Sequence, residues 1–256
     1  MNPVSARLAA LSPSETLAMS QKSNELKAQG IDVINLSVGE TDFNTPDHVK
    51  EAAKKAIDEN YSFYSPVPGY LSLRDAICKK LKKENNLDYK PEQIVCSNGA
   101  KQLVCNVLLA IIGKDDEVII PAPYWVSYPE MVTIADGKSV IVSAGIEQDF
   151  KITPDQLEAA ITPKTKALIL CSPSNPTGSV YSKEELEALA DVLAKYPNIY
   201  ILSDEIYEHI NYVGSHESIA QFENIRERVI VIKMLCHDRL ENWLDRCTAV
   251  DSSSLQ

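Results

Sequence analysis

The feature that most constrains this chain is a series of short, continuously apolar, β-branched runs separated by helical stretches. EVIIP (117–121), SVIVS (139–143), TKALILCS (165–172), IYILSD (199–204) and RVIVI (228–232) show almost no alternation with polar residues. A strand with one wet face alternates; a strand covered on both faces does not. QIVCS (93–97) and IDVINLSV (31–38) read as further strands. Between them, TPDHVKEAAKKAIDEN (45–60) reads as a helix with Thr45 as N-cap, Pro46 at the first position and Asp47 in the first turn. LSLRDAICKKLKKEN (71–85) has apolar residues at 71, 73, 77 and 81, the spacing of one buried helix face. KQLVCNVLLAII (101–112) is apolar almost throughout and reads as a buried helix. SKEELEALADVLAKY (182–196) opens with a capping box formed by Ser182 and Glu185. Apolar strands interleaved with helices predict an α/β fold, a mostly parallel sheet with right-handed crossovers and helices on both faces. Ligands of such sheets bind beyond the carboxyl ends of the strands.

Charge and cysteine usage narrow the function. A net charge of -11 argues against nucleic acid and anionic membrane as partners. No apolar run approaches the roughly 20 residues that a membrane helix needs. The N-terminal stretch lacks a basic start followed by an apolar core, which makes a cytoplasmic protein the expectation. The six cysteines and four histidines are scattered, with no CxxC pair, so neither a metal site nor a disulfide framework is expected. No GxGxxG or GxxxxGK[ST] follows a strand, which disfavours a nucleotide-binding protein.

The segments after the strands carry the chemistry. SNGAKQ (97–102) places Gly99 and Ala100 at a helix start, where free N–H groups and the helix dipole favour phosphate; Asn-Gly is equally a plain turn. PAPYWVSYP (121–129) offers Tyr124 and Trp125 either to stack on a flat ring or to fill the core. In CSPSNPTG (171–178), Asn175 sits between prolines, suited to aiming an amide at a ligand or to a simple turn. In LSDEIYEHI (202–210), Asp204 closes a strand with Tyr207 just beyond it. A buried carboxylate there needs a cation, for which a protonated pyridine nitrogen would serve; a helix N-cap is the alternative.

Taken in order, SVGETDF (37–43), SFYSPVPGY (62–70), SNGAKQ, PYWVSYPEM (123–131), CSPSNPTG and SDEIYEHI resemble the successive landmarks of class I aspartate-type aminotransferases, in particular the bacterial aspartate/prephenate branch. The resemblance runs from near the N-terminus to Ile232 and implies the large domain of a fold-type I enzyme dependent on pyridoxal 5'-phosphate. It implies an N-terminal arm and part of a small domain over 1–40, a cofactor-binding large domain over 41–232, and a C-terminal small domain that is missing. By the same resemblance, Gly99, Ala100 and Lys101 lie at the cofactor phosphate and Trp125 packs on its ring. Asp204 pairs with the pyridine nitrogen, while Asn175 and Tyr207 bond the phenolic oxygen. Tyr64 reaches the phosphate of a partner subunit, which implies a homodimer. Gly39, Trp125 and Asn175 contact substrate, and Ser14, Thr16 and Lys101 recognise the distal carboxylate of a dicarboxylic amino acid. The implied reaction is transamination between an aspartate-like amino acid and a 2-oxo acid. Another fold-type I reaction such as a β-lyase, or a non-catalytic subunit that only dimerises, is the alternative.

After the RVIVI strand the resemblance stops. The family continues with a segment bearing the lysine that forms the Schiff base and the arginine that forks onto the substrate carboxylate; residues 233–256 contain neither motif. Back-translated and read one nucleotide later, KMLCHDRLENWL (233–244) admits Lys-Cys-Tyr-Ala-Met-Thr-Gly-Trp-Arg-Ile-Gly-Trp, the family segment in order. The expectation is therefore an aberrant, out-of-frame tail from Lys233. A missing last strand, an open sheet edge, poor solubility and no significant turnover are expected with it. Lys233 is the one candidate replacement for the absent nucleophile.

Overall fold

The computed structural model describes residues 4–11, 15–36, 39, 44–234 and 247–251. The chain divides into two compact units, 1–45 and 46–256. The first carries two helices, α1 (Ala6–Ala9) and α2 (Glu15–Ala28). Gly30, at φ +80°, ends α2, and the amides of Gly30 and Ile31 bond back to the carbonyls of Lys27 and Leu26. Residues 31–36 form no strand, against expectation, and residues 37 and 38 lie outside the described residues. With Ile34 86% and Leu36 91% exposed, the apolar side chains of this run have no packed surface to bury against within their unit.

The second unit holds helices α3 (Asp47–Asp58) and α4 (Leu71–Asn85), then β1 (Ile94–Asn98), α5 (Ala100–Ile111), β2 (Glu117–Ala122), α6 (Ser127–Ile134) and β3 (Lys138–Ser143). There follow α7 (Pro154–Ala160), β4 (Thr165–Cys171), α8 (Lys183–Ala194), β5 (Tyr200–Asp204), β6 (Val229–Met234) and β7 (Cys247–Asp251). The strands form one seven-stranded sheet in the order β1-β7-β6-β5-β4-β2-β3. All the pairs from β3 across to β6 are parallel, and β7 runs antiparallel to both β1 and β6. The expected missing strand is thus corrected: Cys247–Asp251 fills the gap between β1 and β6.

The predicted double coverage holds for the central strands. Val229, Val231, Ile201, Leu168 and Leu170 face one core, closed by α4, α7 and α8; Ile230, Ile232, Leu202, Ala167 and Ile169 face another, closed by α5 and α6. Each of these valine, leucine and isoleucine side chains, wholly removed from water, contributes about 1.5–3 kcal/mol. β3, the edge strand, differs, since none of its residues is fully buried and Ile141 is 42% exposed.

Helix ends follow local chemistry with one correction. Ser182 Oγ accepts from Glu185 N–H at 3.2 Å and Glu185 Oε2 accepts from Ser182 N–H at 2.7 Å, the predicted capping box. Thr153 and Gln156 make a second box on α7. Thr45 does not cap α3; Pro46 occupies that position with no side-chain bond. Among the described residues no helix is long and apolar enough to cross a membrane.

Candidate active site

The ends of β4 and β5 place Cys171 beside Asp204, and Asp204 in turn beside Ile232 of β6. Asp204 is 1% exposed. Tyr128, from the first turn of α6, donates its hydroxyl to Asp204 Oδ2 at 2.5 Å, and the Ile206 N–H makes a long contact of 3.4 Å with Oδ1. Among the described residues no cationic side chain pairs with this carboxylate. Burial pushes its pKa up to about 6, with the Tyr128 hydrogen bond pulling partly the other way. Burial also lifts the Tyr128 phenol well above its ordinary range and the Cys171 thiol to about 12, with the Asp204 charge adding to both. A buried carboxylate without a cation is costly and asks for a positively charged partner.

The neighbouring groups are flat or amide-bearing. Trp125 meets Tyr128 edge-on, centroids 5.4 Å apart, and Lys101 Nζ lies 5.0 Å from the Trp125 ring centroid. Lys101 stands in the first turn of α5, behind Gly99 at φ +93°. A Cβ at Gly99 would meet nothing within 4 Å, so the space over this helix start is open, and only the backbone angle demands glycine. Asn175, in the loop after β4, donates to the Tyr207 hydroxyl at 3.2 Å. The donor set is an open helix N-terminus for an anion, an aromatic face, a polar pair and a buried carboxylate awaiting a cation. It fits a phosphorylated pyridine.

Lys233 is placed elsewhere. It follows Val231 on the opposite sheet face from Asp204 and is 2% exposed. Its Nζ lies 2.7 Å from Glu205 Oε2 and 2.6 Å from Glu208 Oε2. Glu205 also accepts from Ser203 and Ser218 and contacts His216 at 2.8 Å, while Glu208 is shared with Lys80 and Asn85. The two carboxylates hold the Lys233 ammonium against the effect of burial and raise its pKa; Lys233 in turn lowers both of theirs, that of Glu208 to about 2. Lys233, named as the candidate replacement nucleophile, is placed as the buried ion-pair partner of Glu205 and Glu208. Glu84, Glu208 and His209 also cluster, but Lys80 and Lys233 already engage Glu208.

The structure therefore brings together Gly99, Ala100, Lys101, Trp125 and Asp204 through Tyr128, and separately Asn175 with Tyr207. Tyr64 is 106% exposed, on the loop between α3 and α4. Gly39 and Thr16 belong to the first unit, with the Thr16 side chain outside the described residues, as is Ser14. Tyr128 was not singled out in the sequence; its three-residue spacing from Trp125 at a helix start was the available signal.

Known proteins supply an independent comparison. Residues 31–233 match the family model for aminotransferase class I and II. The probable aspartate/prephenate aminotransferase of Rickettsia bellii is 52% identical over 214 residues, covering 84% of this chain and 54% of the relative. The aspartate/prephenate aminotransferase of Nitrosomonas europaea is 54% identical over 211 residues, covering 82% and 53%. Aspartate aminotransferase from Thermus thermophilus, solved with maleate, superposes with a TM-score of 0.91 at 41% identity over 100% of this chain and 66% of that one. The Rhizobium meliloti aspartate aminotransferase gives 0.91 at 36% identity over 97% and 62%. The chain spans about half the length of the curated relatives it matches, 54% and 53% in these two cases. On this match and this fold, the chain belongs to the class I and II aminotransferase family.

Proposed function

We propose that residues 41–232 are the cofactor-binding part of a cytoplasmic, homodimeric aminotransferase that exchanges an amino group between an aspartate-like amino acid and a 2-oxo acid. The observation that carries the reading is Asp204, a buried carboxylate at the carboxyl end of a parallel strand with no cationic partner among the described residues. Pyridoxal 5'-phosphate, when bound, supplies a ring that accepts electrons from the substrate carbon. Asp204 would hold a proton on the pyridine nitrogen. The first-turn amides of α5, from Ala100 and Lys101, would receive the phosphate, and Trp125 would pack on the ring. Asn175 and Tyr207 would bond the phenolic oxygen. Tyr64, exposed on its loop, would reach the phosphate site of a second subunit.

This 256-residue chain would bind the cofactor without a covalent link and would not turn over. Lys233 points away from Asp204, and no arginine in the family context follows β6. The family match ends at Lys233, which supports reading residues 233–256 as an out-of-frame version of the family segment. Adding pyridoxal phosphate should change the absorbance and tryptophan fluorescence of the wild-type chain, and Asp204→Ala should shift that change to higher cofactor concentration. Borohydride reduction followed by peptide mapping should leave Lys233 unlabelled. A Lys233 adduct with measurable transamination would overturn the account of the tail. Sequencing the DNA across the Ile232 codon tests the frame directly: a shifted frame that lacks a Trp-Arg pair after the strand sinks it.

A further inference from the structure

The geometry points to Tyr128 as a positioning residue whose hydroxyl holds Asp204 ionised and aims its second carboxylate oxygen at the cationic ring nitrogen. The inference deepens the reading of Asp204 as the cofactor's carboxylate partner and rests on it. Tyr128 is 2% exposed and its hydroxyl donates to Asp204 Oδ2 at 2.5 Å, with the Cys171 thiol also within reach of it. A phenol O–H bonded to a carboxylate this closely is a charge-assisted bond, shorter and stronger than a neutral one. It satisfies Oδ2, and among the described residues Oδ1 has only the long contact from Ile206 N–H at 3.4 Å. Oδ1 is thus the oxygen with capacity for a strong new donor.

The phenol is itself held in place. Its ring meets the edge of Trp125 at 90°, and Trp125 carries Lys101 over its face. The amide of Tyr128 bonds the Trp125 carbonyl at 3.0 Å, so both rings are set by one turn at the start of α6. This chain of contacts runs from the N-terminus of α5 to the end of β5, the two ends of the site. It couples the group that would receive the phosphate to the group that would receive the ring nitrogen. The titratable groups around Asp204 are Tyr128 from α6, Cys171 from β4 and Glu205 beside it in the chain. Of these, only Tyr128 donates to the carboxylate in its ionised form, and its bond opposes the upward push of burial.

The test has two arms, both on the full 256-residue chain. The first needs no cofactor. The unfolding free energy of wild type and of Asp204→Asn is measured against pH, and their difference reports the ionisation of Asp204. Repeating the pair in a Tyr128→Phe background should move that ionisation midpoint up by about one pH unit, the shift expected when a charge-assisted hydrogen bond is lost. The phenylalanine keeps the ring against Trp125, so a purely packing role would leave the midpoint where it was, and that result overturns the proposal. The second arm measures affinity for pyridoxal 5'-phosphate by tryptophan fluorescence. Tyr128→Phe should weaken binding roughly threefold at pH 6.5 and hardly at all at pH 8.5, because the unassisted carboxyl is largely protonated only at the lower pH. In the Asp204→Asn background it should change nothing further. An equal loss at both pH values, or a loss that persists without the Asp204 charge, also overturns it. If the first arm succeeds but wild type takes up no pyridoxal phosphate, the functional reading fails while the hold of Tyr128 on Asp204 stands.

Discussion

Asp204 shows what a single residue can cost a fold. Its pKa of about 6 in the folded chain exceeds the ordinary 3.8 because burial disfavours the charge. A raised carboxyl binds its proton more tightly when folded, so the penalty is full above pH 6 and fades as pH falls through 6 towards 4. The shift corresponds to roughly 3 kcal/mol at most. Asp204→Asn should therefore stabilise the cofactor-free chain by about 1–3 kcal/mol at pH 8 and by almost nothing at pH 4, read from denaturant unfolding. Lys233 has the opposite sign. It neutralises Glu205 and Glu208, and their carboxyls are held below the ordinary value, so this contribution is present above about pH 4.5 and is lost as pH falls towards 2. Lys233→Met leaves two carboxylates buried with less compensation and should cost about 3–5 kcal/mol at pH 7, with part of the loss recovered on acidification. An unchanged unfolding midpoint would show that Lys80 and His216 suffice to hold those charges. Asp204 was legible in the sequence because it ends a strand in SDEIYEH. The partners of Lys233 were not, because Glu205, Glu208 and His216 meet it only after the chain has turned back through residues 206–228, and no local spacing records that return.

At the scale of elements, composition carried most of the information. The apolar runs of β2, β4, β5 and β6 announced strands because burial on both faces leaves no place for polar residues. The helix signals of α4, α5 and α8 were equally local. What failed were segments whose state depends on a neighbour. Residues 31–36 have the β-branched content of a strand but join no sheet among the described residues. CTAVD has no long apolar run, yet forms β7 because a gap between β1 and β6 accepts it. That strand has a consequence for the site. Among the described residues β1 pairs only with β7, and β1 leads directly through Gly99 into α5. Deleting residues 247–256 should leave β1 held by its helices alone. Hydrogen exchange at 94–98 should then rise by at least tenfold while β4 and β5 stay protected, because each net backbone hydrogen bond is worth about 1 kcal/mol and several are lost together. Unaltered protection of β1 would mean that packing against α4 and α5 is enough to hold it.

At the scale of the whole molecule, the exposed apolar residues are unevenly distributed. Ile57 is 75% exposed, Phe63 82%, Tyr64 106% and Val67 96%, all within or beside the loop joining α3 to α4. Scattered exposed apolar residues are ordinary, but a run of this density on one segment marks a surface that water covers poorly. The loop is nonetheless built to a definite shape. Gly69, at φ +96°, brings its backbone against Cys96, whose Cβ would lie 2.9 Å from any side chain placed there. Arg74 then anchors the turn through the carbonyls of Gly69 and Pro91. A shaped, aromatic, solvent-facing loop fits the proposed second subunit better than it fits a free surface. Light scattering should accordingly show the chain to be dimeric or larger at micromolar concentration. Phe63→Ser with Val67→Ser should shift it towards monomer while leaving the unfolding midpoint within about 0.5 kcal/mol of its original stability, as surface substitutions do. A monomeric wild type would remove the reason for these residues to face water. Loss of stability in the double variant would instead assign them to the fold of a single chain, where their exposure gives them nothing to hold.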